Sequence, residues 1–203
     1  MDEATWRATR NERAWMLEHV RTKMPARKLR LFGCACARRA WDHLTSDGRL
    51  FVERAERFAD GTLPNVEVPP GMMALAHPDL PILAHAVRRL YDAPEVALHA
   101  ATDVLRAFRK SWREELAAQC DLARCVFGNP FRPPPEAPAW ARSETPRQMA
   151  RVITDEGRYA DLPILADALE DAGCDNADML AHCRGPGPHV RGCWVVDLLL
   201  GKS

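Results

Sequence analysis

The sequence predicts an all-α protein, a compact assembly of about eight to ten helices joined by proline-rich loops. Apolar residues recur three and four positions apart along most of the chain, which is typical of helices packed on one face. No segment alternates in polarity over the length of a strand, and VEV at 66–68 is too short to start a sheet. Helices therefore account for the regular structure that the sequence predicts.

Proline placement divides the chain into helical blocks. Of its 16 prolines, five fall between Pro64 and Pro81 and six between Pro130 and Pro146, where they interrupt the helical pattern. The length would suffice for one ordinary core or two small ones, and we expect a single domain over residues 1–203, with both ends of the chain contributing to one helical assembly. Its predicted parts are helical blocks at about 3–60, 71–126 and 144–201, with proline-rich connectors at about 61–70 and 128–143.

Three helices are predicted in the first block. The first runs through WRATRNERAWMLEHV at 6–20, and the third covers about Gly48 to Asp60. The second begins near Pro25, since proline in a first helical turn removes an N–H that would have no partner there. Four residues form its apolar stripe: Leu29, Phe32, Cys36 and Ala40.

The second and third blocks each contain one copy of nearly the same phrase. DLPILAHA begins at Asp79 and DLPILADA at Asp161, and each reads as a helix start with an Asp cap and a first-turn proline. The repetition indicates either two related helical hairpins or the same helix start arising twice. The other predicted helices are a long stretch from about Pro94 to Cys125, a short helix at Ala177 to Cys183, and a terminal helix from near Pro188.

Composition excludes several classes of function. The 28 basic and 28 acidic residues cancel, so no overall field attracts nucleic acid or an anionic membrane. No apolar run has the roughly 18 residues that a membrane span requires, and the acidic start MDEATWRATR does not resemble a secretory signal. Seven cysteines, an odd number, form no disulfide framework. We therefore expect a cytoplasmic protein with reduced thiols.

A cluster of cysteines and histidines near the C-terminus is the candidate metal site. On the predicted terminal helix, His189 and Cys193 are four residues apart and can face one ion. The four predicted ligands are Cys174, His182, His189 and Cys193, and zinc is the cofactor they suit. The favoured interpretation is nevertheless that the cysteines are ordinary core residues and a histidine caps a helix, since free cysteine packs like a small hydrophobe. In that case the protein has no cofactor, and structural zinc is the alternative.

The same segment raises the alternative of a small thiol-dependent enzyme. His189, Cys193 and Asp197 are spaced by four residues, as a base, a nucleophile and an orienting acid could be. Side chains in a row on one helix seldom converge on a substrate atom, and no recognised nucleophile, phosphate-binding or metalloprotease motif is present. We assign no catalytic residue, and the balance of these observations favours a protein that is not an enzyme.

Two oppositely charged segments predict contact surfaces. Residues 21–41 carry seven basic residues and no acid, whereas residues 155–178 carry eight acids and one base. Either these segments meet within the fold or they bind a charged protein partner. The function favoured by the sequence is a non-enzymatic interaction or scaffold module, with nucleic acid disfavoured because no aromatic motif accompanies the bases. The predicted contact residues are Arg27, Lys28, Arg30, Arg38 and Arg39. Neither the partner nor the oligomeric state follows from the sequence.

The segment FGNPFRPPPEAPAW at 127–140 is an unusual loop, because three aromatic residues surround a proline run. We expect Phe127, Phe131 and Trp140 to fasten the loop to the helices. Binding of the proline run to an aromatic groove of a partner is the alternative.

Several longer phrases together resemble an uncharacterised family of small proteins found in planctomycete bacteria. These phrases are RKLRLFGCACARRAW at 27–41, FGNPFRP at 127–133, DLPILADALEDAGC at 161–174 and HCRGPGPHVRGCWVVDLLLGK at 182–202. The resemblance implies one continuous architecture from Arg27 to Lys202 and no known activity. The chain departs from the family at Ala37, where a further cysteine is expected.

Overall fold

A computed structural model of the 203-residue chain describes residues 1–64, 75–132 and 143–202. Over these ranges the regular structure is helical, and the β-type pairing amounts to one isolated antiparallel bridge between Leu44 and Ala76. This confirms the predicted all-α class. The predicted connectors lie partly outside the described residues, and so does Trp140.

Ten of the described α-helices have seven or more residues, in agreement with the predicted number. In chain order the helices are α1 Glu3–Ala8, α2 Arg13–Val20, α3 Ala26–Arg39, α4 Ser46–Ala59, α5 Ile82–Arg89, α6 Pro94–Ala97, α7 His99–Ala107, α8 Trp112–Phe127, α9 Glu144–Glu156, α10 Leu162–Asp171, α11 Ala177–Arg184 and α12 Trp194–Leu200.

The predicted first helix is in fact two, because Thr9 ends α1 in an extended conformation. Its hydroxyl oxygen accepts a hydrogen bond from the backbone N–H of Glu12 at 3.2 Å, which turns the chain into α2. Threonine side chains commonly bond to nearby backbone groups in this way, and such bonds compete with the backbone hydrogen bonds of a helix. The long stretch predicted from Pro94 is likewise divided into α6, α7 and α8, with a 3₁₀ turn at Arg109–Ser111.

Both copies of the repeated phrase start helices, but in neither copy does the aspartate side chain form a capping hydrogen bond. Pro81 itself occupies the N-cap of α5, and Asp161 occupies that of α10 without a side-chain capping bond. The helix starts were therefore predicted correctly, whereas the capping hydrogen bonds were not. Pro163 does lie in the first turn of α10, where its missing N–H removes no helical hydrogen bond.

Helix α3 is central to the first two blocks, where it packs against α4, α6, α7 and α8. Gly33 allows the close approach to α6, since a Cβ there would lie 2.6 Å from the carbonyl oxygen of Ala97. Glycine in the middle of a helix costs about 0.5–1 kcal/mol relative to alanine, and this close contact explains its presence at position 33.

Three apolar clusters form the interior. The first joins α3, α4, α5 and α7, and the second joins α1, α2, α3 and α8. The third connects the end of α8, through Cys125, with the C-terminal helices α9 to α12. Of the helices that the structure describes, none has both the length and the apolar character needed to cross a membrane. The third cluster contains the candidate functional site.

The described part of the 127–140 loop is fastened to the helices as predicted. Phe131 stacks on His19 with ring centroids 4.5 Å apart and meets the edge of Trp6 at 6.5 Å. Phe127 packs against Phe32 at 5.4 Å. Both aromatic residues therefore connect the loop to the second apolar cluster.

Candidate metal centre

Four side chains with metal-binding atoms converge inside the third apolar cluster. Cys125 comes from the last turn of α8, His182 from α11, His189 from the following loop, and Cys193 from the N-cap of α12. One ligand atom from each residue lies within 4.8 Å of every other. Both cysteines are buried, and both histidines are partly buried.

The loop between α11 and α12 is shaped so that its two ligands turn inward. Gly192 adopts φ +90°, and a Cβ at this position would lie 2.9 Å from the side chain of Leu31 on α3. Glycine therefore permits both the turn and the close contact with α3. The backbone N–H of Cys193 donates to the carbonyl oxygen of Val190, which fixes the thiol at the start of α12.

His189 is oriented as a metal-binding histidine would be. Its Nε2 lies 3.2 Å from the carbonyl oxygen of Gly185. A carbonyl can only accept, so Nε2 carries the proton and donates it, leaving a lone pair on Nδ1. Nδ1 is buried without a hydrogen-bond partner. Metal-bound histidines usually donate their other ring N–H to a carbonyl or carboxylate in this way.

His182 approaches the cluster from the opposite wall. Its Nε2 lies 3.2 Å from Sγ of Cys193, and its ring meets that of His189 edge-on with centroids 4.8 Å apart. Trp194 covers the outer side of His182 at a centroid distance of 5.7 Å. The imidazole is thus held by packing as well as by the sulfur.

The surroundings shift the pKa values of the two thiols in opposite directions. Burial raises the pKa of Cys193, but hydrogen bonds from Cys125 and His182 outweigh it and hold that pKa well below the ordinary value. The bond to Cys193 holds the pKa of Cys125 well above its usual range, and burial adds to this effect. For His189, burial lowers the pKa, yet the nearby sulfur of Cys193 raises it overall. The surroundings of Cys193 thus favour its thiolate form, which is the form that binds a metal ion.

The dimensions of the cluster suit a tetrahedral ion. With Zn–S bonds of about 2.3 Å and Zn–N bonds of about 2.0–2.1 Å, tetrahedral ligand atoms lie about 3.3–3.8 Å apart. The observed atoms lie within 4.8 Å of one another, so the most distant pair would have to approach by about 1 Å to reach that geometry. Two thiolates and two imidazoles form one of the usual structural zinc ligand sets.

The structure brings together three of the four predicted ligands: His182, His189 and Cys193. Cys174 is buried elsewhere in the third apolar cluster, and Cys125 takes the fourth position. The prediction that His189 and Cys193 share one helix is wrong, because α12 begins only at Trp194. Instead, the loop before the helix brings the two side chains together.

Asp197 does not join His189 and Cys193 in the arrangement that a thiol-dependent enzyme would need. Asp197 accepts hydrogen bonds from Arg27 at 2.7 and 2.9 Å, and Lys28 lies 2.5 Å from the same carboxylate. This carboxylate is therefore engaged with α3 and does not orient His189, whose ring N–H is directed at Gly185.

All five predicted contact residues bond within the chain. Arg27 and Lys28 meet Asp197, and Arg30 donates to the carbonyl oxygen of Leu90 at 2.8 Å. The two remaining residues pair with buried glutamates, Arg38 with Glu56 and Arg39 with Glu115. Part of the basic segment thus meets acids inside the fold, and binding of a partner by these residues stays a prediction.

No protein-family model, curated protein or solved structure matches this chain. The resemblance to the planctomycete family stays an expectation, and the candidate function is argued from the Cys/His cluster itself.

Proposed function

We propose that this protein is a helical module built around one structural zinc ion, bound by Cys125, His182, His189 and Cys193. One observation carries the proposal: four ligand atoms from three separate parts of the fold converge within 4.8 Å. Chance packing of core cysteines would not also bury an unpartnered imidazole nitrogen on His189.

The ligand chemistry favours zinc. Thiolate sulfur is a soft ligand and imidazole nitrogen is a borderline one, a combination that suits zinc and disfavours calcium or magnesium, which prefer oxygen. Four protein ligands also complete a tetrahedron. Catalytic zinc sites usually have three protein ligands and leave the fourth position to water. The set therefore supports a structural role.

The ion would connect parts of the chain that are distant in sequence. Cys125 belongs to α8, which packs against α2, α3 and α7, whereas the other three ligands belong to α11 and the loop before α12. Zinc at this position would tie the C-terminal helices to the rest of the molecule. We infer a scaffold role without catalysis and place the protein in the cytoplasm, where its seven free, buried cysteines would stay reduced.

Cobalt substitution tests the proposal. Co²⁺ added to reduced, metal-free protein should produce the visible absorption of a tetrahedral ion and a sulfur-to-metal charge-transfer band, saturating at one equivalent. Cys125→Ala should weaken both signals strongly. Cys174→Ala is the matched control, since it also removes a buried thiol from the third apolar cluster and should leave the spectrum unchanged. A spectrum that depends on Cys174 and not on Cys125 would contradict the proposal.

A further inference from the structure

An open groove of about 1150 Å³ lies between the N-terminal and C-terminal parts of the fold. Its walls come from the start of α3, the loop after α8, and helices α11 and α12. Much of its lining is apolar, including Met24, Phe131, Trp194 and Leu198. Trp194 can pack this closely because the loop has glycine at 128, where a Cβ would lie 3.0 Å from the indole.

The groove has an excess of positive charge. Six basic residues line it against two acids: Arg7, Lys23, Lys28, Arg124, Arg132 and Lys202 against Asp178 and Asp197. Four of the bases are themselves paired within the chain, Arg7 and Arg132 with Glu3 and Asp178, Lys28 with Asp197, and Arg124 with Asp121. The two lining bases without a described acid partner are Lys23 and Lys202. The groove therefore suits a ligand surface that combines apolar side chains with carboxylates.

An exposed tryptophan extends the apolar surface beyond the part of the groove that Lys23 lines. A smaller hollow shares Lys23 with the groove and is lined by Trp15, which is 64% exposed. An indole exposed beside a groove of this kind is typical of a surface that binds protein.

The helical hairpin of α9 and α10 has the complementary character. Val152 on α9 is 41% exposed, and Ile164 in the first turn of α10 is 57% exposed. The hairpin, residues 144–171, contains three bases, Arg147, Arg151 and Arg158, against seven acids: Glu144, Asp155, Glu156, Asp161, Asp167, Glu170 and Asp171. Its exposed apolar residues thus belong to a hairpin with a net negative charge.

The two surfaces are separate on the molecule. No described residue of α9 or α10 lines the groove, so one chain can present its hairpin and its groove at the same time. We propose that the groove of one chain receives the α9–α10 hairpin of a second copy, in a head-to-tail contact. Contacts of this heterologous kind extend into rings or open chains rather than stopping at a symmetric dimer.

Sedimentation velocity of the full-length, reduced, zinc-loaded protein tests this assembly. The wild-type chain should show a weight-average mass that rises with concentration and falls with added salt. A groove variant, Lys23→Glu with Lys202→Glu, and a hairpin variant, Ile164→Lys, should each weaken association by about tenfold or more, since each places like charges opposite one another. All three positions are exposed, so these changes should leave the fold intact.

Mixing the variants separates this proposal from other modes of association. The groove variant keeps an intact hairpin and the hairpin variant keeps an intact groove, so an equimolar mixture should form a dimer that grows no further. Leu50→Lys is the control, because Leu50 is 48% exposed on α4 and belongs to neither surface. It should associate like the wild type.

Three results would overturn the assembly. They are a wild-type chain that stays monomeric at every concentration, variants that associate normally, and a mixture that stays monomeric. Because zinc content is measured separately on the same samples, failure of the assembly is distinguishable from failure of the zinc proposal.

Discussion

The imidazole of His189 donates from Nε2 to the carbonyl oxygen of Gly185 at 3.2 Å, four residues earlier in the same loop. This bond places the lone pair of the ring on Nδ1, which is buried without a partner beside the two sulfurs. The loop thus fixes the tautomer that a metal ion requires, independently of any ion.

Replacing His189 with Ala should therefore lower zinc affinity more than the roughly 10–100-fold loss typical of changes to residues that only orient a ligand. Competition with a chromophoric zinc chelator measures this directly. His85→Ala, an exposed histidine on α5, should keep the wild-type affinity. Equal affinities for the two variants would show that Nδ1 does not bind the ion.

Zinc binding should release protons, and the apparent affinity should rise with pH through the neutral range. The release of protons is expected because hydrogen bonding to Cys193 and burial raise the pKa of Cys125. At neutral pH its thiol therefore carries a proton, which the metal must displace. Calorimetric titration in two buffers of different ionisation enthalpy measures the protons released. A heat of binding that is the same in both buffers would contradict the assignment of Cys125 as a ligand.

Removing zinc should lower the thermal stability of the chain. An ion that binds only the folded state stabilises it by about 4 kcal/mol when its free concentration is 1,000 times Kd. Thermal melts followed by circular dichroism, with zinc and with excess chelator, measure the difference. In Cys125→Ala the two melts should coincide, whereas Cys174→Ala should retain the zinc-dependent shift.

The buried carboxylate of Asp197 should contribute strongly to stability. Asp197→Asn would leave Lys28 without a counter-charge and Arg27 with Asp60 alone, and breaking a buried pair in this way costs about 3–5 kcal/mol. Asp167→Asn is the control, since its pair with Arg184 is exposed and should matter by no more than about 1 kcal/mol. Urea unfolding of both variants measures the two free energies, and equal losses would contradict the buried network.

Phe131 should stabilise the fold by fastening the loop after α8. Phe131→Ala removes the contacts with His19 and Trp6 and should cost about 1–3 kcal/mol, visible as a lower melting temperature. Trp112→Ala removes an exposed aromatic residue on α8 and should change stability by about 0.5 kcal/mol or less. An unchanged melting temperature for Phe131→Ala would instead indicate a binding role for this loop.

The sequence predicted the helical class and most helix positions because stripes of apolar residues and prolines at helix starts act locally. It missed the break at Thr9, which depends on one hydroxyl accepting a backbone N–H from Glu12. A single bond of this kind does not change the spacing of apolar residues from which the helices were predicted. The late start of α12 was missed because Pro188 can open a helix, whereas the positive φ of Gly192, which interrupts helical geometry just before Trp194, cannot be read from the apolar pattern.

The candidate site was predictable only where its residues are close in sequence. His182, His189 and Cys193 lie in one short segment, whereas Cys125 belongs to a distant helix and reads as one more buried cysteine among seven. Packing of α8 against α12 brings its sulfur to the site, and that packing follows from the whole third apolar cluster. The short spacing in the sequence instead predicted Cys174, which is nearer to the other three residues, as the fourth ligand.

Native mass spectrometry of the purified, reduced chain after incubation with zinc tests the central claim most directly. We expect one zinc ion per chain, retained in Cys174→Ser and lost in Cys125→Ser. A wild-type chain that takes up no zinc, or loses it only when Cys174 is replaced, would contradict a metal centre formed by Cys125, His182, His189 and Cys193.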